Sequence, residues 1–225
     1  MYLYDTHVHT SEGSRCGKVS ATGQVRAFKK RGYAGIIITD HMVKGYSVCP
    51  EHLPWDERVR YQLSCYEAAK AEGEACGLDV FFGWEFSTRV DGYRGCDILT
   101  YGLGEDFLLA HPDMLDYTLE EYSKVVRQYG GYLAQAHPFR HTLSGKDIPH
   151  RLLDGMEVFN STDDKNQNRL ARRYAQSKNL HMQAGSDSHY TYDPAEPCGV
   201  LLEKRAESIH DIINAIKAGA QLQTF

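Results

Sequence analysis

Five short apolar runs in this chain each finish in His, Asp or Glu, and that recurrence restricts the fold more than any other feature. Residues 1–10 read as a β-strand, because Tyr2, Leu3, Tyr4 and Val8 suit a pleated, half-buried setting. Side chains at i and i+2 of a strand share a face, so His7 and His9 project together. Residues 33–41 contain the unbroken run Ile36-Ile37-Ile38, expected of a strand covered on both faces, and end in Asp40-His41. Residues 79–86 place Glu85 among apolar neighbours, where a carboxylate requires a partner or a metal. Residues 132–138 run into His137-Pro138, and residues 180–189 end in a second i, i+2 pair, Asp187 and His189.

Helices are expected between these strands. Residues 19–31 carry Val25 and Phe28 at helical spacing and stop at Gly32. After an irregular stretch at 51–55, residues 56–76 form a helix closed by Gly77. Thr118 with Glu121 is a capping box that opens a helix ending at Gly130-Gly131. Further helices are expected at 165–177 and 208–218, and further strands at 96–103, 155–160 and 199–203. This alternation predicts a parallel α/β architecture. An open doubly wound sheet would string the five strand ends along a line. A barrel gathers them at one mouth, the C-terminal face where active sites of such folds sit. A barrel is therefore the expectation.

At 225 residues the chain is read as one domain. Its apolar runs are too short to span a bilayer, and its opening residues lack the basic and apolar regions of a signal peptide. The expected location is the cytoplasm, with no membrane partner. The six cysteines form no C-x-x-C pair, and no disulfide framework is expected. A net charge of −5 counts against binding a long nucleic acid, yet leaves room for a small anionic substrate whose charge is met by metals. Nothing in the sequence specifies an oligomeric state.

His7, His9, His41, Glu85, His137, Asp187 and His189 form an N/O donor set with no thiolate among them. Such a set suits catalytic Zn, Mn or Fe rather than a structural zinc site. It also exceeds what one four-coordinate ion uses, so two or more ions are implied. Paired ions of this kind serve phosphoester hydrolysis.

Five segments carry a resemblance to a known family: Asp5-Thr6-His7-Val8-His9-Thr10, Ile38-Thr39-Asp40-His41, Gly83-Trp84-Glu85-Phe86, Gln135-Ala136-His137-Pro138 and Gly185-Ser186-Asp187-Ser188-His189. In this order they resemble the PHP domain, the polymerase and histidinol phosphatase family of metal-dependent phosphoesterases. The resemblance covers nearly the whole chain, so residues 1–225 are expected to be one PHP domain. It implies a distorted (β/α)7 TIM-like barrel with two or three divalent ions (Zn, Mn or Fe). His7, His9, Glu85 and Asp187 would surround one ion, Glu85 would bridge to a second held also by His137, and His41 and His189 would hold a third. Two positions depart from the pattern. Where a His is often found on the strand after the bridging Glu, this chain has Asp97, with His111 a lesser substitute. In the loop after His9, Glu12 is the candidate ligand, because Arg15, which stands in ungapped register, cannot bind a metal.

Arg140 follows His137-Pro138-Phe139, and its guanidinium suits bidentate recognition of phosphate. Arg15 and Arg89 are weaker candidates for substrate contact, and Asn160 would touch substrate or brace a ligand. Asp5 and Asp40 are expected to orient ligands or loop backbone. The implied activity is hydrolysis of a small phosphomonoester, histidinol-phosphatase-like, by a metal-bridging hydroxide, with Glu85, Asp187 and Arg140 in catalytic roles. The alternatives are a PHP-type nuclease or nucleotide phosphodiesterase and, from a different class, an accessory metal-binding module without turnover.

Overall fold

The Ile36-Ile37-Ile38 run is buried on both faces, as its composition requires, and lies between two parallel neighbours. In the computed structural model, which describes residues 1–87, 96–140, 148–191 and 193–225, it forms β2 (Gly35–Ile38). Before it come β1 (Tyr2–Val8) and α1 (Ala21–Lys30), and after it β3 (His41–Met42), α2 (Trp55–Cys76) and β4 (Asp79–Ser87). The middle of the chain holds β5 (Asp97–Tyr101), α3 (Glu105–Ala110), α4 (Leu119–Gln128) and β6 (Tyr132–Gln135). The last part holds β7 (Gly155–Asn160), α5 (Lys165–Lys178), β8 (His181–Gly185), β9 (Gly199–Leu202), α6 (Ile209–Lys217) and β10 (Leu222–Gln223). The Thr118–Glu121 capping box is present at the start of α4, a device that stabilises a helix by about 1 kcal/mol.

These strands make one ten-stranded sheet in the order β10-β9-β1-β2-β4-β5-β6-β7-β8, with β3 paired to β4. It curls into a nearly closed barrel. Beyond β8 the chain meets β1 again through a parallel bridge between Val8 and Ser188. Asp187 N donates to His7 O at 2.8 Å, and His9 N to Ser188 O at 3.1 Å. The closure is thus made at the mouth, by the very residues that carry the two His/Asp pairs. The α/β barrel read from the sequence is borne out.

The sheet is mixed rather than parallel throughout. β5 runs antiparallel to both β4 and β6, and β9 antiparallel to β1 and β10. The link from Ser87 to Asp97 explains the first reversal, being shorter than the dozen or so residues a parallel crossover requires. The reversal has a consequence for the site. It places Asp97, at the beginning of β5, opposite Ser87 at the end of β4, and so at the mouth.

β1 carries one further irregularity. Asp5 pairs with Ile36 but Val8 with Ile38, so three steps of β1 oppose two of β2. An extra residue of this kind re-aims the side chains that follow. Leu3 and Val8 pack with Val25, Phe28 and Ile36, on the side where α1 lies, while Tyr4 joins Ile37, Leu99 and Tyr101 in a second cluster. A third and larger cluster packs Trp84, Phe86 and Tyr122 under α3 and α4. Among the described residues, no helix is long and apolar enough to cross a membrane.

Candidate metal centre

Imidazoles and carboxylates from different strand ends converge at the mouth. The Nε2 atoms of His7 and His9 lie 3.0 Å apart. Glu85 Oε2 is 3.5 Å from His7 Nε2, 3.2 Å from His9 Nε2 and 3.1 Å from His41 Nδ1. Its other oxygen is 3.1 Å from His137 Nε2, which stands 3.8 Å from Asp97 Oδ2. Asp187 Oδ1 lies 3.4, 3.1 and 3.7 Å from His7, His9 and His189. Glu85 is therefore shared by four imidazoles, the geometry a bridging carboxylate needs.

The fit to bound cations rests on two atoms. Glu85 Oε2 and His41 Nδ1 are buried and make no hydrogen bond, although they are 3.1 Å apart. Leaving such groups unsatisfied is costly, and a cation between them removes the cost. Three groups within the cluster have ligand atoms close enough to share an ion: His7, His9 and Glu85; His7, His137 and Asp187; and Glu85, Asp97 and His137.

The surrounding residues hold the imidazoles in one orientation. Ser14 Oγ donates to Asp40 at 2.7 Å, so His9 Nδ1, 3.1 Å from that hydroxyl, must be the donor to it. This leaves His9 Nε2 facing the cluster. Asp40 also accepts from the amide and hydroxyl of Thr10, and Asp5 from the amides of His7 and Ser186. A Cβ on Gly13 would fall 2.3 Å from the Asp40 carboxylate, so that loop requires glycine.

Behind His7 stands Glu157, a fully buried carboxylate. Its Oε1 accepts from His7 Nδ1 at 3.1 Å, and its Oε2 from His137 N at 2.9 Å and Asn160 Nδ2 at 2.8 Å. Burial favours the neutral acid, but the His7 imidazole and its hydrogen bond hold the Glu157 carboxyl below its ordinary value. Burial likewise opposes charge on Glu85 and Asp187. The imidazoles around Glu85, and for Asp187 those of His7 and His9 with Arg140, nevertheless hold both well below the usual carboxylate range. In return, and against burial, the adjacent carboxylates of Asp187 and Glu85 raise His9 to about 9.

Of the candidates read from the sequence, the structure brings together His7, His9, His41, Glu85, Asp97, His137, Asp187 and His189. It does not bring in Glu12. That carboxylate turns to the first helical amide of α1 and accepts from Ala21 N at 3.0 Å, where a negative charge suits the helix end. Arg15 is exposed and donates to Ser47 O, outside the cluster. Arg89 lies outside the described residues. Asn160 is fully buried with its amide on Glu157, the bracing arrangement of the two read from the sequence. His111 bonds Phe107 O and packs on Phe107 and Tyr129, away from the mouth.

Arg140 is at the mouth but is already engaged: it donates to Asp187 Oδ2 at 2.6 Å, Asp163 Oδ1 at 2.8 Å and Thr162 Oγ1 at 2.6 Å. Two groups were missed. Glu157 sits in an apolar strand as Glu85 does, a signal sufficient to have flagged it. Cys16, against the expectation of a thiolate-free set, offers a ligand atom within 4.8 Å of those of His9 and His189. No spacing pattern announced it.

Residues 165–220, from α5 to just beyond α6, match the PHP-associated family. No curated protein matches the sequence. Among solved structures, the chain is similar to a two-domain protein from Bacteroides vulgatus containing a predicted PHP-like metal-dependent phosphoesterase. The two share 18% identity over 99% of this chain and 64% of that one, with a TM-score of 0.73. It is similar to an amidohydrolase from Chromobacterium violaceum at 16% identity, over 97% of each chain, with a TM-score of 0.64. It is also similar to a lesion-specific endonuclease from Pyrococcus furiosus at 13% identity, over 98% of this chain and 57% of that one, with a TM-score of 0.61. The chain thus spans less than two thirds of the first and third of these proteins. At such identities the likeness establishes the fold, and with the match over 165–220 the resemblance to the PHP family holds.

Proposed function

We propose that residues 1–225 form one PHP domain that hydrolyses a small phosphomonoester, with a histidinol-phosphatase-like substrate as the leading assignment. The observation that carries this reading is the buried convergence of His7, His9, His41 and His137 on Glu85, one oxygen of which has no hydrogen bond. Two or three divalent ions (Zn, Mn or Fe) would be held by His7, His9, His41, Glu85, Asp97, His137, Asp187 and His189. Such ions make hydroxide available near neutral pH and neutralise the oxygens of a reacting phosphoryl group.

The chain's own residues do the positioning. Glu157 and Ser14 fix the Nδ1 atoms of His7 and His9 and thereby direct both Nε2 lone pairs into the mouth. Arg140 orients Asp187 through one N–H and is itself held by Asp163 and Thr162. A guanidinium has five N–H donors, so two remain for an incoming phosphoryl oxygen. Burial opposes its charge, but Asp187 and Asp163 keep Arg140 protonated.

The test is phosphate release by metal-stripped protein reloaded with Mn, Fe or Zn. The substrates are small phosphomonoesters including histidinol phosphate, with dinucleotides and a duplex carrying an abasic site beside them. Turnover of one monoester at a kcat/KM of about 10⁴ M⁻¹s⁻¹ or more supports the reading. Cleavage confined to the nucleic acids replaces it with a nuclease, the alternative that the likeness to a lesion-specific endonuclease brings forward. Silence with ions demonstrably bound leaves the accessory module.

A further inference from the structure

We propose that Cys16 is a thiolate ligand of the metal centre, at its outer rim beside His189, so that the donor set of this chain is mixed N/O/S. The proposal rests on the metal-centre reading above and adds a sulfur ligand to it. Ligand atoms of His9, Cys16 and His189 lie within 4.8 Å of one another, close enough to close on one ion. The His9 and His189 rings stack at 4.8 Å between centroids, and His9 stacks on His41 at 4.7 Å, so the thiol is continuous with the rest of the cluster. Glu85 Oε2 and His41 Nδ1, both buried and without a hydrogen bond, belong to residues that border the same His9 ring.

The loop carrying Cys16 is held on several sides. Ser14 N donates to Thr10 O, Arg15 N to Tyr46 O, Gly17 N to Ser14 O, and Lys18 N to His189 O at 2.8 Å. A Cβ on Gly17 would stand 2.4 Å from Thr10 O, so the loop packs directly on the end of β1. Cys16 is thus fixed in position relative to His189 before any ion arrives. Binding replaces the S–H proton by the ion, which leaves a metal–thiolate bond and releases one proton to solvent. A thiolate shifts the preference of that position toward Zn, Fe or Co and away from Mn; in the empty site burial and the nearby Glu85, Asp187 and Asp40 carboxylates keep the thiol protonated.

Two half-buried cysteines allow an internal control. Cys16 belongs to the cluster, whereas Cys76 lies at the end of α2 and, among the described residues, belongs to no group of metal-ligating residues. The whole protein, stripped of metal and then reloaded with Zn, is alkylated with iodoacetamide for long enough to label Cys16 of the metal-free protein, and each cysteine is followed by mass spectrometry. Zinc is expected to slow labelling of Cys16 by about tenfold or more and to leave Cys76 unchanged. Loading with Co should produce a sulfur-to-metal charge-transfer band in the near ultraviolet that Cys16→Ser removes while the remaining cobalt stays bound. Equal labelling of Cys16 with and without bound zinc, or a cobalt spectrum unchanged by Cys16→Ser, overturns the thiolate and leaves the phosphoesterase reading standing. Protein that takes up no metal at all overturns both.

Discussion

Replacing Glu157 by Gln alters one terminal group of a buried side chain and leaves its shape intact, so it isolates the role of the charge. Glu157 accepts three hydrogen bonds, from His7 Nδ1, His137 N and Asn160 Nδ2. An amide has only one acceptor oxygen. If that oxygen faces His7, the NH2 group meets the amide of His137 and the side-chain amide of Asn160, donor against donor. A buried donor left unpaired in this way costs about 1–3 kcal/mol. If the amide flips, His137 and Asn160 are satisfied but the NH2 group faces His7 Nδ1. The imidazole must then protonate on Nε2, and it loses the lone pair directed at the cluster. Either way the centre is weakened. Loss of a group that orients a metal-bound His lowers affinity by about 10–100-fold, which corresponds to roughly 1.4–2.8 kcal/mol. The assay is competition for Zn against a chromophoric chelator, with wild type and Glu157→Gln compared at one pH and their metal-free melting temperatures recorded. Equal affinity within twofold in a folded variant would refute the argument that Glu157 sets the His7 tautomer.

Two further outcomes follow from the same geometry. In the metal-free protein His9 is pushed up to about 9 by the adjacent carboxylates of Asp187 and Glu85, which outweigh burial, so it holds a proton at neutral pH that an ion must displace. Apparent metal affinity should therefore rise as pH climbs toward about 9 and then level off. Calorimetry in buffers of different ionisation enthalpy reads the released protons, and a pH-independent affinity would sink this account. Gly185→Ala would put a Cβ 2.7 Å from His7 Cβ and 2.8 Å from Glu157 Oε1, an overpacking that costs about 1–3 kcal/mol. It should lower both the melting temperature and metal affinity, whereas Gly104→Ala, with no atom within 4 Å of the new Cβ, should do neither. Equal behaviour of the two variants would contradict the close packing of β8 on His7.

What was legible in the sequence was whatever depends on short-range pattern. His7 with His9, and Asp187 with His189, are i, i+2 pairs whose common direction follows from strand geometry alone. Thr118 and Glu121 announce the start of α4 for an equally local reason. The parts that were not legible depend on pairing in space. Asp97 is named as a ligand from the resemblance alone; it reaches the mouth because β5 is reversed, and strand direction is not written in a stretch such as Asp97-Ile98-Leu99. Glu12 has the right charge for a ligand, but it is taken up by Ala21 N, an amide at the start of α1 that the helix itself leaves without a partner. Arg140 was placed at the mouth, yet its pairing with Asp163 and Asp187 joins residues far apart in the chain. Cys16 lies in a Gly/Ser loop whose course is set by the backbone of His189 and Tyr46, which no local pattern reveals.

The backbone of the centre supports the view that it is built for ligation rather than for stability alone. His137 has φ of 27° and Asp187 has φ of 55°, both left-handed values that non-glycine residues avoid. Conformations of this kind cost about 1–3 kcal/mol each and persist only where neighbours over-determine them. The neighbours here are identifiable. His137 N is held by the Glu157 carboxylate at 2.9 Å, and Asp187 N by His7 O at 2.8 Å. Each strained residue lies two residues beyond the end of its strand, and its side chain meets Glu85 in the case of His137 and His7 in the case of Asp187. Glu157 therefore acts twice, on the ring of His7 and on the backbone of His137. That coupling is why a single buried carboxylate in β7 controls the directions of two imidazoles contributed by other strands.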